Sequence, residues 1–350
     1  MAETIHITNS AGEITTGAGL ASTDAQPATV RIAVAVPLLD AYDYLIGDGG
    51  DLVRGSIVTV PLGHRFVQGI VLGAGAGAGG VAAHKLKPVK AVFRLAPLAP
   101  AFVDFIEKVA AWTLAPLGSV VKMVLSQPKA LGAPPQQTVY RLPATTPDQV
   151  TATKARQRVL DLLADVGSLS SAEIQKLAGV SASVITIMTR QRALDATSIA
   201  ADPHPAIPNL DLDGHVLTQD QTDAATALCA AMGNGFAAFL LDGVTGSGKT
   251  EVYFEAVRTA LEQGQQTLIL LPEIALSAGW RTRFKARFGV APTEWHSDIG
   301  EAKKRQAWRA VQKGEARVVV GARSALFLPF ANLGLIIVDE EHEHAFKQED

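Results

Sequence analysis

The chain has 350 residues, 48% hydrophobic and 19% charged, which suits a globular protein with sizeable cores and room for two or three domains. Its 31 Lys/Arg against 34 Asp/Glu leave a net charge of −3, so bulk charge does not make it a polyanion binder. The lone cysteine, Cys229, excludes an internal disulfide and a four-cysteine zinc site.

Residues 1–27 are small and polar, with no charged segment leading into an apolar core, which predicts a disordered tail rather than a signal peptide. No stretch reaches the ~18 consecutive apolar residues of a membrane span, so a cytoplasmic protein is expected. Alternating runs at 30–36, 56–60 and 66–72 read as strands, broken by Pro37, Pro61 and Gly-rich clusters at 47–51 and 73–80. They predict a small barrel or sandwich. Phe102, Phe105, Ile106, Val109 and Trp112 then recur at helical spacing, as a core face does.

Residues 131–150, rich in Pro, Gln and Thr, read as a linker. Three helices follow within 151–195. The first carries Val159, Leu160, Leu163 and Val166. The second starts at a Ser171 cap, carries Ile174 and Leu177, and ends at Gly179. The third starts near Ser181, carries Val184, Ile185 and Met188, and reaches Arg190 and Arg192. Three short helices with a glycine turn before the last fit a winged-helix module, which binds DNA or docks proteins. Residues 201–215 form a second linker. From 216 on, strands at 236–242, 267–272, 317–321 and 333–338 alternate with helices, the order of a doubly wound parallel sheet. Cys229 falls on one of these helices as a small core residue.

The chemistry concentrates in this last region. Gly243-Val244-Thr245-Gly246-Ser247-Gly248-Lys249-Thr250 fits G-x-x-x-x-G-K-[ST], with an apolar run before it and a helical pattern after it. Such a loop closes backbone N–H groups around phosphates, with Lys249 on the outer phosphates and Thr250 on Mg²⁺. About 90 residues on, an apolar strand ends in Asp339-Glu340-Glu341-His342. Asp339 is placed to hold Mg²⁺ and Glu340 to orient or deprotonate an attacking water. His342 and His344 stand two apart, do not share a helix face and form no H-E-x-x-H, so no metal site is expected there. Residues 281–313 hold nine Lys/Arg against three Asp/Glu. That surplus reads as a nucleic-acid face or as solvated helices.

Further motifs resemble a known family. Leu217-Thr218-x-Asp220-Gln221 resembles the adenine-reading Q motif of superfamily 2 helicases, and Asp339–His342 their DEAH-type motif. With Leu271-Pro272-Glu273-Ile274, Gly321–Phe330 and the run Gly243–Tyr253, the set resembles the PriA family of primosomal replication-restart helicases. Tyr42-Asp43-Tyr44-Leu45 is similar to its F-D-Y-L, Val60-Pro61-Leu62-Gly63 to its V-P-F-G, and Leu86-Lys87-Pro88-Val89 to a nearby basic segment. Residues 275–280 depart from the family by lacking Thr-Pro-Gln.

The resemblance implies a multidomain α/β chain: a tail to 27, a β-rich 3′-DNA-end-binding domain over 28–130, a winged-helix-like domain over 151–200, and a RecA-like P-loop helicase lobe from 216 to 350. It implies ATP with Mg²⁺, bound through Gln221, Gly243, Gly246, Gly248, Lys249, Thr250 and Asp339, with Lys249, Asp339 and Glu340 catalytic. It implies DNA contacts at Tyr42, Asp43, Gly63, Lys87, Arg323 and Ser324. The implied activity is ATP-driven 3′→5′ unwinding that restarts replication at stalled or recombination-derived forks. The implied partners are forked and single-stranded DNA, single-stranded-DNA-binding protein and other primosome proteins, for a nucleoid-associated monomer. The family's second lobe and zinc-binding cysteines fall outside these residues. The chain is therefore expected to be part of a longer protein or a truncated product. Alone it would bind ATP and DNA without unwinding, as a fork-binding fragment or scaffold.

Overall fold

The computed structural model describes residues 29–47, 52–75, 85–144, 153–200, 204–244, 246–272 and 278–341. The expected tail over 1–27, Thr245, Glu273, His342 and His344 lie outside the described residues.

The N-terminal region is an antiparallel sheet of β1 (Thr29–Val34), β2 (Tyr42–Leu45), β3 (Ile57–Leu62), β4 (Arg65–Ala74) and β5 (Ala91–Val92), in the order β2-β1-β4-β3-β5. Leu62 pairs with Arg65, so Gly63 and His64 form a two-residue hairpin turn, and Gly63 takes the positive φ of 60° that such a turn needs. Alternation sends Val30, Ile32, Val34, Tyr44, Val58 and Val60 into one cluster, and Ala33, Ile57, Ile70 and Leu72 into another. The second cluster receives α1 (Pro100–Thr113) and α2 (Leu117–Val124). Helix α2 docks through Gly118, where a Cβ would stand 1.7 Å from the Val36 carbonyl oxygen.

A separate core holds the next region. There β6 (Gln136–Arg141), α3 (Lys154–Val166), β7 (Ser168–Ser170), α4 (Ser171–Ala178), α5 (Ala182–Arg190) and β8 (Asp195–Ala200) enclose Val159, Leu163, Ile174, Ile185 and Met188. The sheet order is β7-β6-β8, giving the strand-flanked three-helix order of a winged helix. The linker expected over 131–150 thus contains a strand. Its residues are mostly polar, and its partner β8 begins more than fifty residues away, so neither period nor local context marks it.

The cap of α4 is Ser170, not Ser171. Ser170 Oγ accepts from the Glu173 backbone N–H, and the Glu173 carboxylate returns bonds to Ser170 N and Oγ at 2.8 and 2.6 Å. Those bonds hold the Glu173 carboxyl below its usual range. Ser170→Ala is expected to lower the stability of this region by about 1 kcal/mol, read as a lower urea midpoint with an unchanged slope.

The last region comprises α6 (Gln219–Ala231), α7 (Lys249–Glu262), β9 (Gln266–Leu270), α8 (Ala278–Phe288), β10 (Thr293–Trp295), α9 (Glu301–Gln312), β11 (Val318–Gly321) and β12 (Leu333–Val338). Its parallel sheet runs β10-β11-β9-β12. The strand expected over 236–242 is absent. Phe236 is 98% and Leu240 82% exposed, and the sheet ends at β12. An apolar run becomes a buried strand only where a neighbour completes its hydrogen-bond ladder, and among the described residues none does so here.

One hydrophobic cluster spans the first and last regions. Ile106, Val120 and Val124 pack in it with Trp295, Trp308, Val311 and Phe330. Helix α9 provides the polar ties. Trp308 Nε1 donates to Val124 O at 2.9 Å, and Gln312 Nε2 to Ala96 O at 2.8 Å. Buried Arg309 donates to the carbonyls of Ala130, Lys129 and Gly132 at 2.9, 3.0 and 3.1 Å.

Candidate nucleotide and DNA sites

Helix α7 begins at Lys249 behind Gly248, which sits at φ +83° and supplies no side-chain cap. The first N–H groups of the helix are left facing the loop, as anion binding requires. A Cβ on Gly248 would stand 2.4 Å from Gln221 Nε2, so the glycine lets the two segments touch. Gln221 caps α6 reciprocally with Thr218 and donates Nε2–H to Ser247 O at 2.8 Å. Lys249 Nζ donates to Gly243 O and Val244 O at 2.5 and 3.3 Å, so the ammonium is held within its own loop.

Asp339 follows β12, and its N–H continues the ladder to Leu270 O at 3.0 Å. Oδ1 accepts from Glu340 N–H at 3.0 Å and Oδ2 from the Tyr253 hydroxyl at 2.9 Å. Glu340 sits at φ +53°, a left-handed conformation that costs a non-glycine residue about 1 kcal/mol and concentrates at functional sites. The Tyr253 hydroxyl receives Trp280 Nε1–H at 2.8 Å and lies beside the Thr250 side chain. Burial, then the Asp339 charge, push the Tyr253 phenol well above its ordinary range.

Thr250 and Asp339 therefore converge on one hydroxyl although 89 positions separate them. Two adjacent oxygen ligands beside a phosphate loop fit Mg²⁺ with a nucleotide. Sequence reading assigned Tyr253 and Trp280 no role. Thr250 and Tyr253 stand three apart at the start of a helix, and that shared face was the available signal.

The residues that the family resemblance assigns to DNA fall into two groups. Arg323 and Ser324 are exposed on the 3₁₀ turn Arg323–Phe327 after β11. The Phe327 ring meets Phe105 of α1 at 5.9 Å, which seats the turn on the N-terminal region. In the N-terminal sheet, Lys87 Nζ donates to Gly63 O at 3.1 Å. Tyr44 OH donates to Pro61 O at 3.2 Å, and its phenol is raised by burial and by neighbouring Tyr42. Lys87 thus meets the Gly63 turn directly, and exposed Tyr42 stands beside Tyr44, whose hydroxyl reaches the same hairpin at Pro61. Asp43 does not join them. It alternates to the opposite face of β2, across from Arg31.

Among the described residues no cluster of three His, Cys, Asp or Glu could hold a metal, and no helix is long and apolar enough to cross a membrane.

Comparison with known proteins falls on the same two regions. A family model described as a 3′ DNA-binding domain matches residues 31–126, and one described as a DEAD/DEAH box helicase matches residues 218–350. A replication restart protein PriA from Haemophilus influenzae is 31% identical over 336 residues, 92% of this chain and 45% of the relative. The chain belongs to the PriA family. The PriA of Rickettsia typhi is 38% identical over 191 residues, covering 55% of this chain and 28% of that protein. The PriA of Bacillus subtilis is 50% identical over 112 residues, 32% of this chain and 14% of that protein. The chain thus spans less than half the length of these PriA relatives. Tyr42, Gly63 and Lys87 fall within the first matched region, and Gln221, Lys249, Asp339 and Glu340 within the second. The winged-helix region lies between them.

Proposed function

We propose that this chain supplies fork-end recognition and the first nucleotide-binding lobe of an ATP-dependent 3′→5′ DNA helicase that restarts replication at stalled or recombination-derived forks. The observation that carries the reading is the shared core. The Tyr42–Gly63–Lys87 hairpin and the phosphate-loop lobe are built on one hydrophobic cluster, tied by α9.

In this reading Lys249 leaves the Gly243 and Val244 carbonyls to neutralise the outer phosphates, while the first N–H groups of α7 hold the inner ones. Gln221 reads adenine. Thr250 and Asp339 hold Mg²⁺, which neutralises charge on the phosphoryl oxygens when bound. Glu340, fixed in its left-handed conformation, orients the attacking water. Arg323 and Ser324 grip the DNA backbone. Tyr42 stacks on the 3′-terminal base, Gly63 lets backbone approach it and Lys87 holds phosphate. Asp43 reads the strand end only if the DNA reaches its face of β2. Single-stranded-DNA-binding protein and other primosome proteins are the partners, and the protein works as a nucleoid-associated monomer.

One observation favours a narrower second reading. Phe236–Leu241, which leads into the phosphate loop, is outside the sheet. A loop without that anchor suits a fork-binding fragment that does not hydrolyse ATP.

The test is binding of this chain to forks whose arm ends in a free 3′-OH or a blocked 3′ end. About tenfold preference for the free end is expected, lost in Tyr42→Ala, because a stacked base contributes roughly 1–3 kcal/mol. Equal affinity for both forks sinks the end-recognition reading. Fork-stimulated ATP hydrolysis by the chain alone sinks the narrower one.

A further inference from the structure

We propose that Tyr253 is the residue that positions Asp339 for Mg²⁺, and that Trp280 sets the direction in which the Tyr253 hydroxyl points. The inference rests on reading Lys249, Thr250 and Asp339 as the nucleotide site.

An indole N–H can only donate, and a tyrosine hydroxyl has a single proton. Trp280 Nε1 lies 2.8 Å from Tyr253 OH, so the hydroxyl oxygen accepts there. Asp339 as a carboxylate can only accept, so the one Tyr253 proton goes to Oδ2 at 2.9 Å, and the neighbouring Thr250 hydroxyl faces the Tyr253 oxygen as a donor. Asp339 Oδ1 is held in turn by the Glu340 N–H at 3.0 Å. With one donor on each oxygen the carboxylate plane is fixed, while each oxygen keeps a lone pair for a cation.

The two rings cannot easily turn away. Tyr253 and Trp280 are 5% and 3% exposed. Phe254 meets Tyr253 edge-on at 5.3 Å, and Phe284 stacks on Trp280 at 5.4 Å. The aromatic layer between α7 and α8 therefore fixes the hydroxyl, and the hydroxyl fixes the carboxylate. Donors that orient a metal ligand in this way govern metal affinity while leaving the rest of the site intact.

The test is a binding titration of a fluorescent ATP analogue with the 350-residue chain, in EDTA and then across Mg²⁺ concentrations. Tyr253→Phe removes one hydroxyl and keeps the ring. It is expected to leave metal-free nucleotide affinity unchanged and to raise the Mg²⁺ needed for half-maximal effect about tenfold. Trp280→Phe, which frees the hydroxyl to rotate, is expected to raise it by a smaller factor. An unchanged Mg²⁺ requirement in both variants overturns the proposal, as does an equal loss of affinity with and without metal. Lys249→Ala separates this from failure of the site itself. If that variant binds the analogue as the parent does, the phosphate-loop reading fails whatever Tyr253 does.

Discussion

Lys249→Ala is expected to lower affinity for ATP at least about tenfold and to reduce hydrolysis by the full-length protein about a hundredfold or more, the scale of removing a charged donor from a phosphoryl-transfer site. Two effects combine. The variant loses the point charge that meets the outer phosphates. It also loses the tie from Nζ to the Gly243 and Val244 carbonyls, which braces the loop. Only the first depends on nucleotide, so the drop should be larger for ATP than for ADP. Isothermal titration with both nucleotides checks this. Unchanged ATP affinity would show that the loop does not bind phosphate.

Arg309→Met has the largest expected effect on stability, a loss of about 2–3 kcal/mol. Arg309 is 3% exposed, and the groups its guanidinium bonds are the backbone carbonyls of Lys129, Ala130, Gly132 and Ala133. Methionine conserves much of the apolar stem but leaves the buried Ala130 carbonyl without a donor and hands the partly exposed carbonyls of Lys129, Gly132 and Ala133 to water. Because they belong to the N-terminal region and Arg309 to the lobe, the loss falls on the joint between them. Unfolding followed by tryptophan fluorescence and by far-ultraviolet circular dichroism should coincide in the parent chain and separate in the variant. Coincident transitions at an unchanged midpoint would mean that the joint does not depend on this residue.

Much of the fold was legible where the signal was local. The β3–β4 hairpin follows from alternation around Gly63, and α3 to α5 from apolar spacing between capping residues. The phosphate loop needed only its spacing and flanks. What escaped was set by partners far along the chain. Polar β6 becomes a strand because β8 pairs with it. The run at 236–242 has the composition of a strand and, among the described residues, finds no neighbour to pair with. Charge counting misjudged the basic stretch over 281–313 for a related reason. Arg287 and Arg309 are both buried, the first on Leu212 O and Glu255, the second on carbonyls of the N-terminal region. Neither is available to DNA, so the surface is less basic than the count. At the nucleotide site the motif residues were identifiable, but the Tyr253–Asp339 bond spans 86 positions and no spacing rule reaches that far.

The seating of Phe327 on Phe105 carries one more consequence. The turn bearing Arg323 and the sheet bearing Tyr42 are packed on one hydrophobic cluster, so the fold sets their spacing. On the proposed reading, a strand held at both places would cross an unpaired stretch of set length, and the molecule would sort forks by gap size as well as by the chemistry of the end.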